Sequence, residues 1–224
     1  VLVRPNLNLF PALLQQEIPY DSTVPIRLNN AQASVDYIFE WEEIIDPATP
    51  PEVEVGQEIN RASPPYDGHH NLLAGPFTDD AIFRIRVRKR FSGLEALLPT
   101  TFHLKVAPNT DLQVQPTLTE IFIGLDVDVT VSGTQTGVEY HLRDRATGAQ
   151  VGSRRFDHFN VGIGTARIGD TFAVRNDFQH VQHFNTGIVL APMILDVVAL
   201  KRSNGMEATV NTPIEIQIRP GRPS

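Results

Sequence analysis

The chain has 224 residues, 41% hydrophobic and 20% charged, which is enough apolar material for one large or two ordinary domains and too much for a disordered tail. A net charge of −7 builds no field suited to nucleic acid or an anionic membrane, and no apolar run reaches membrane-spanning length. Zero cysteines exclude disulfides and thiolate metal sites.

The first element, "VLVRPNLNLF" (residues 1–10), alternates apolar with polar residues, the period of a strand with one buried face. It begins on Val1 where an initiator Met would stand, as expected of a chain processed or cut from a longer one. Its "VLVRPNL" aligns with "LQVQPTL" at residues 112–118, an offset of 111. Next, "VPIRLNNAQASVDY" (24–37) matches "VDVTVSGTQTGVEY" (127–140) without a gap at offset 103. Gly75 in "AGPFTDDAIFRI" corresponds to Gly187 at offset 112. At that same offset "KRFSGLEALLPTTFHLKVAP" (89–108) matches "KRSNGMEATVNTPIEIQIRP" (201–220), with seven of twenty positions identical and five exchanging one apolar residue for another. The chain therefore contains one module twice. The offsets assign eight extra residues to copy one near residues 10–23 and nine to copy two between Tyr140 and Gly187, and length changes of this kind belong in loops. The expected domains are 1–108 and 109–224, joined by the proline-marked linker "VAPNTDLQVQP" (106–116), which should limit bending.

Within copy one "VPIRL", "VDYIFEW", "FRIRV" and "FHLKV" each alternate, and in copy two so do "VDVTV", "VEYHL" and "IEIQI". "SG" (92–93) and "SNG" (203–205) supply the positive-φ residues of tight hairpins before each last strand. Pro99 and Pro213 fall early in that strand, which marks it as an edge or a bulge. About seven short strands in each ~110 residues predict an all-β chain of two tandem immunoglobulin-like sandwiches. The Cys-Trp-Cys pin and a clear tyrosine corner are missing, and Trp41 has no counterpart in copy two, so a fibronectin III-type or bacterial Ig-like variant fits best.

"GVEYHLRDRATGAQVGS" (137–153) resembles the strand-turn-strand signature of tandem Ig-like repeats in very large bacterial surface and secreted proteins. Copy one diverges from it through "FEWEEIIDPATPPEVEVG" (39–56). The resemblance implies stalks, adhesins and appendage parts, including components of phage-like injection particles. It places the chain outside the cell or on its surface. The implied partners are other domains of the same array, neighbouring subunits, or a protein receptor or glycan. It implies no catalysis and no cofactor.

Candidate chemistry is sparse. Arg84, Arg86 and Arg88 share one face of "FRIRVRKR" and should lie opposite Asp36, Glu40 and Glu42 of the neighbouring strand as cross-strand pairs on a solvated face. "YDGHHN" and "FQHVQHF" occupy the same stretch of each module, ahead of the repeated glycine. Both are expected to be loops, in which Tyr66, His69 and His70 of copy one, and Phe159, Phe178, His180 and His183 of copy two, form contact surface. Most phenylalanines of the second region (Phe156, Phe159, Phe172 and Phe178) are also natural lids for a sandwich core. His180 and His183 lie three apart and would face opposite sides of a strand, so no metal site is expected. Asp126 with Asp128, and Asp79 with Asp80, offer oxygens for calcium, but the first pair is not repeated in copy one. There is no G-x-S-x-G elbow, phosphate-binding glycine loop or H-E-x-x-H. The expectation is a non-enzymatic spacer that presents recognition loops. The alternatives are a receptor- or glycan-binding tip and a self-assembling filament or particle subunit, with "VLVRPNLNLF" adding as a strand to a neighbour's edge.

Overall fold

A computed structural model of the protein describes residues 5–42, 57–135, 137–155 and 181–221. Phe156, Phe159, Phe172, Phe178 and His180 lie outside the described residues, as do residues 1–4 and most of the divergent stretch after Trp41. The chain divides into two compact units, Val1–Val106 and Ala107–Ser224.

Unit 1 contains β1 (Ala12–Leu13), β2 (Glu17–Ile18), β3 (Ser22–Ala31), β4 (Val35–Trp41), β5 (Glu58–Ala62), β6 (Gly68–Phe77), β7 (Ala81–Lys89) and β8 (Glu95–Val106). They form two sheets, ordered β1-β3-β6 and β2-β8-β7-β4-β5. Unit 2 contains β9 (Gln113–Pro116), β10 (Glu120–Phe122), β11 (Asp128–Ser132), β12 (Val138–Asp144), β13 (Gln150–Val151), β14 (Ser153–Arg155), β15 (Val181–Asn185), β16 (Met193–Lys201), β17 (Glu207–Thr209) and β18 (Ile214–Arg219). Its sheets run β14-β15-β11-β9 and β10-β18-β16-β12-β13, with β17 also on β16.

Alternation decides what fills each core. Val24, Ile26 and Leu28 of β3 are buried, as are Val129 and Val131 of β11, while the residues between them face outward. Unit 1 packs rings: Phe83 lies 5.2 Å from Phe102, 5.3 Å from Phe77 and 6.4 Å from Phe39. The equivalent positions of unit 2 are the aliphatic Leu195, Ile214, Val189 and Leu142, all buried. Each such side chain withdrawn from water contributes about 1.5–3 kcal/mol.

The strand registers revise the repeat. Ala12 faces Arg27 as Gln115 faces Thr130, and the parallel pair Glu17–Lys105 recurs as Glu120–Gln217. Even the leading turn recurs: Asn6 and Asn109 donate their amides to the side-chain oxygens of Gln32 and Gln135, at 3.3 and 2.6 Å. The offset is thus 103 from Pro5 through Tyr37, and the eight-residue insertion expected near residues 10–23 does not exist. The early match at 111 compared two short apolar-alternating stretches, which any pair of strands resembles.

Two further expectations change. The stretch expected to be a linker belongs largely to unit 2, because Asn109 is bonded to Gln135 and residues 113–116 form β9. The last strand is not an edge, since β2 and β10 add to β8 and β18 in parallel. Pro99 instead sits in a bulge, where β8 advances from Leu97 to Thr101 while β7 steps from Arg86 to Arg84.

Candidate functional site

One end of unit 1, the apical end, gathers three connections. The β7–β8 hairpin is closed by Lys89 N donating to Leu94 O at 2.9 Å and Gly93 N to Lys89 O at 2.9 Å, with Gly93 at φ +68°. Arg90 N donates to Ser34 O at 3.1 Å, tying this hairpin to the β3–β4 turn. That turn is held by Gln32 N donating to the Tyr37 hydroxyl at 2.9 Å and by Ala33 N donating to Asp67 Oδ1 at 2.8 Å, which brings in the β5–β6 loop. Burial pushes the Tyr37 hydroxyl pKa up, while the Gln32 amide works the other way.

On this frame Tyr66, 62% exposed, lies against the His70 ring with centroids 4.5 Å apart, and His70 Nε2 is 2.8 Å from the Tyr66 carbonyl oxygen. His69 Nδ1 is 3.0 Å from Asn29 Oδ1. Tyr66 and His70 therefore come together, while His69, the adjacent residue of the strand, is held by Asn29 instead; both histidines begin β6 rather than sit in a loop. Sequence reasoning missed Phe91. At the hairpin tip it is 96% exposed, where unit 2 has Ser203. The signal was present in the mismatch "KRF" against "KRS", inside the best-matched segment of the repeat.

Of the residues expected to form contact surface in copy two, His183 alone is described; Phe159, Phe178 and His180 lie outside the described residues. His183 lies on β15, with Nδ1 3.1 Å from Thr130 Oγ1, and Phe184 beside it is buried in the core. Among the described residues no three His, Cys, Asp or Glu side chains converge as metal ligands. Asn185 Nδ2 donates to both Asp126 Oδ2 and Asp128 Oδ1, at 2.6 and 2.9 Å, and bridges that acidic pair.

In the charged ladder of β4 and β7 Glu40 pairs with Arg84 and Arg86 as expected, whereas Asp36 pairs with Arg90 and Arg88 with Glu95, and the centre of the ladder is buried rather than solvated. Glu40 is 1% and Arg86 8% exposed. Glu40 accepts from Arg84 Nε at 2.9 Å and from Arg86 Nε and Nη2, both at 3.0 Å. Arg86 and Arg88 also approach Glu95 at 3.8 and 3.6 Å. Two long guanidinium stems lie over one carboxylate, so the pair is buried by its own aliphatic atoms as well as by neighbouring strands. Toward the apical end Asp36 accepts from Ser63 Oγ at 2.6 Å and Arg90 Nε at 2.7 Å. Burial acts to raise the Asp36 pKa, and these two donors outweigh it, leaving the carboxyl below its ordinary value.

Strand order, the two packed sheets and the closing hairpins define the class: the protein is all-β and its units are Ig-like β-sandwiches. No protein-family model matches this chain, and no curated protein does. Among solved structures it is similar to murine CEACAM1b, with 10% identity over 95% of this chain and all of that one, at a TM-score of 0.38. The same figures hold for a chain from the crystal structure of the mouse coronavirus receptor-binding domain complexed with its murine receptor. The ICAM-5 ectodomain fragment of domains D1-D4 is 12% identical over 94% of this chain and 54% of that one, at a TM-score of 0.37.

Proposed function

We propose that this chain is a non-enzymatic recognition module of two tandem domains, 1–108 and 109–224, in a bacterial extracellular or appendage protein. One domain holds length and direction while the apical end of the other meets a protein receptor or a glycan. The observation that carries the reading is Phe91. A phenylalanine 96% exposed at the tip of a hairpin contributes nothing to folding, and the bonds from Arg90 and Lys89 hold it in place. Tyr66 and His70 add a second aromatic surface on a connection bonded to the same turn. Rigid aromatic groups lose little entropy on contact, which suits them to anchor a partner. The test compares wild-type protein with Phe91→Ser and Tyr66→Ala on glycan arrays and host-cell surfaces. The expected result is at least a tenfold loss of binding, with thermal unfolding unchanged. Binding that survives both substitutions sinks the proposal.

A second reading, a subunit of a filament or phage-like particle, is favoured by the opposite, basal end of unit 2. There Gly124 N donates to Val189 O and Val189 N to Leu125 O, each at 2.9 Å, and Phe122, Ile123, Leu125, Ile188 and Leu190 are all exposed around these bonds. At the matching positions unit 1 has Pro19, Tyr20, Ser22, Pro76 and Thr78, so this patch belongs to one copy only.

A further inference from the structure

The outer face of the three-stranded sheet of unit 1 is built differently from its counterpart in unit 2. Val24, Ile26 and Leu28 of β3 point into the core, so Thr23, Pro25, Arg27 and Asn29 point out. The strand registers set their neighbours. Arg27 lies between Ala12 of β1 and Asn71 of β6, both exposed. The next row toward the basal end is apolar across all three strands. There Pro25 faces Leu73, 53% exposed, and its carbonyl accepts from the amide of Leu14, 40% exposed, at 3.2 Å. The row on the apical side is polar, with His69 bonded to Asn29.

Charge sets Arg27 apart. Every other arginine whose side chain is described is ion-paired with a carboxylate. Among the described residues Arg27 has no such partner, and β1, β3 and β6 contain neither Asp nor Glu. In unit 2 the corresponding rows are Gln115–Thr130–His183 and Thr117–Asp128–Asn185. The cation is missing there, a carboxylate stands at the position of Pro25, and the apolar row is polar throughout. None of these exchanges touches a core position, so packing does not account for them.

We infer that this face binds the carboxylate of an acidic sugar, with Arg27 as its anchor. The inference rests on the recognition role proposed above and gives it a ligand class. A guanidinium presents paired N–H groups that match the two oxygens of a carboxylate, and this one spends none of them on the protein's own acids. On one side of it Leu14, Pro25 and Leu73 offer an apolar row for the C–H face of a sugar ring. On the other, Asn71 and His69 offer hydrogen-bonding groups to the hydroxyls. His69 adjoins the Tyr66–His70 pair, so the face borders the apical surface. A sugar acid meets all three demands from one rigid ring, whereas an acidic peptide must order a separate side chain for each.

Biolayer interferometry with the whole chain tests this on immobilised oligosaccharides ending in glucuronic or sialic acid, each beside the same oligosaccharide with its carboxyl reduced to the alcohol. The acidic forms should bind at least tenfold more tightly than their reduced partners, and less tightly as salt rises. Arg27→Gln should cost the acidic forms at least tenfold, leave the reduced forms unchanged and leave the unfolding midpoint in place. Arg27→Lys should recover part of the loss, because the charge returns without the paired N–H groups. Pro25→Asp, which copies the residue of unit 2, should weaken the acidic forms selectively. Equal binding of acidic and reduced forms, no binding to any acidic form, or acidic binding indifferent to Arg27→Gln overturns the inference. Binding to host cells that is lost on Phe91→Ser in any of those cases leaves the recognition role standing, so the two fail separately. Binding to a cell-surface protein stripped of its glycans that is lost on Arg27→Gln assigns the anchor to an acidic peptide and overturns the sugar.

Discussion

Tyr37 and Tyr140 do the same work in the two units. Each hydroxyl accepts a backbone N–H five residues upstream, from Gln32 at 2.9 Å and Gln135 at 3.0 Å, and each ring is buried beneath that turn. The matched "Q…Y" pairs were visible in the sequence, but the bond between hydroxyl and turn was not, because it depends on how the strand leaves the turn. Phe91 and Phe184 show the limit more sharply. They are the same residue with polar neighbours on both sides, yet one is displayed and the other is core. At this scale His141 sets a pH dependence. It faces the fully buried Val198, half-buried itself, and burial lowers its pKa below 6.5, with Glu207 acting upward and Arg143 downward. The other groups facing it are Glu139 on its own strand and Thr209 across Val198. The unfolded chain therefore takes up this proton more readily than the folded one. Above about pH 6.5 the histidine is neutral in both states and neutral to stability; as pH falls below that value it favours unfolding, until the folded form is protonated too. Chemical denaturation between pH 8 and pH 5 should show stability declining with acid, and His141→Gln should flatten that decline.

The elements were legible wherever one face is apolar and the other polar. β3, β4, β11, β12 and β18 fall where alternation predicts, and the hairpins at Gly93 and Gly205 close as "SG" and "SNG" require, both glycines at positive φ. Elements of two or three residues, such as β1, β2, β10 and β14, were not legible, because two residues carry no period. They are strands only because a neighbour supplies a ladder. The pairing of β4 with β7 was foreseen from charge, but its burial was not, since exposure depends on everything packed around a residue. That burial has an energetic consequence. Glu40→Gln keeps the shape and removes the charge that Arg84 and Arg86 share, leaving the Arg86 guanidinium, 8% exposed, with only the more distant Glu95 at 3.8 Å. Loss of a buried pair's partner costs about 3–5 kcal/mol, against about 0–1 kcal/mol for an exposed pair such as Arg61–Glu58. Urea titration of Glu40→Gln beside Arg61→Ala should separate the two values; equal small losses would show that the Glu40 cluster behaves as surface.

At the scale of the molecule, each unit carries its own hydrophobic cluster, built from Leu9 to Val106 in one and from Leu112 to Ile216 in the other. Because the described buried residues of unit 2 form a cluster of their own, residues 107–221 expressed alone should fold and unfold cooperatively, with protected amides on β11, β12 and β16 in hydrogen exchange. A fragment with strand content but no cooperative transition would show that unit 1 completes it. The sequence by itself determined that the chain is all-β, that it is written twice and where its tight turns lie, because alternation and turn chemistry are properties of neighbouring residues. Tertiary structure alone decided the true offset of the first strand, the burial of Glu40 and the display of Phe91. Each of these depends on which distant strand a segment meets, and a one-dimensional pattern does not specify its partner across the sheet.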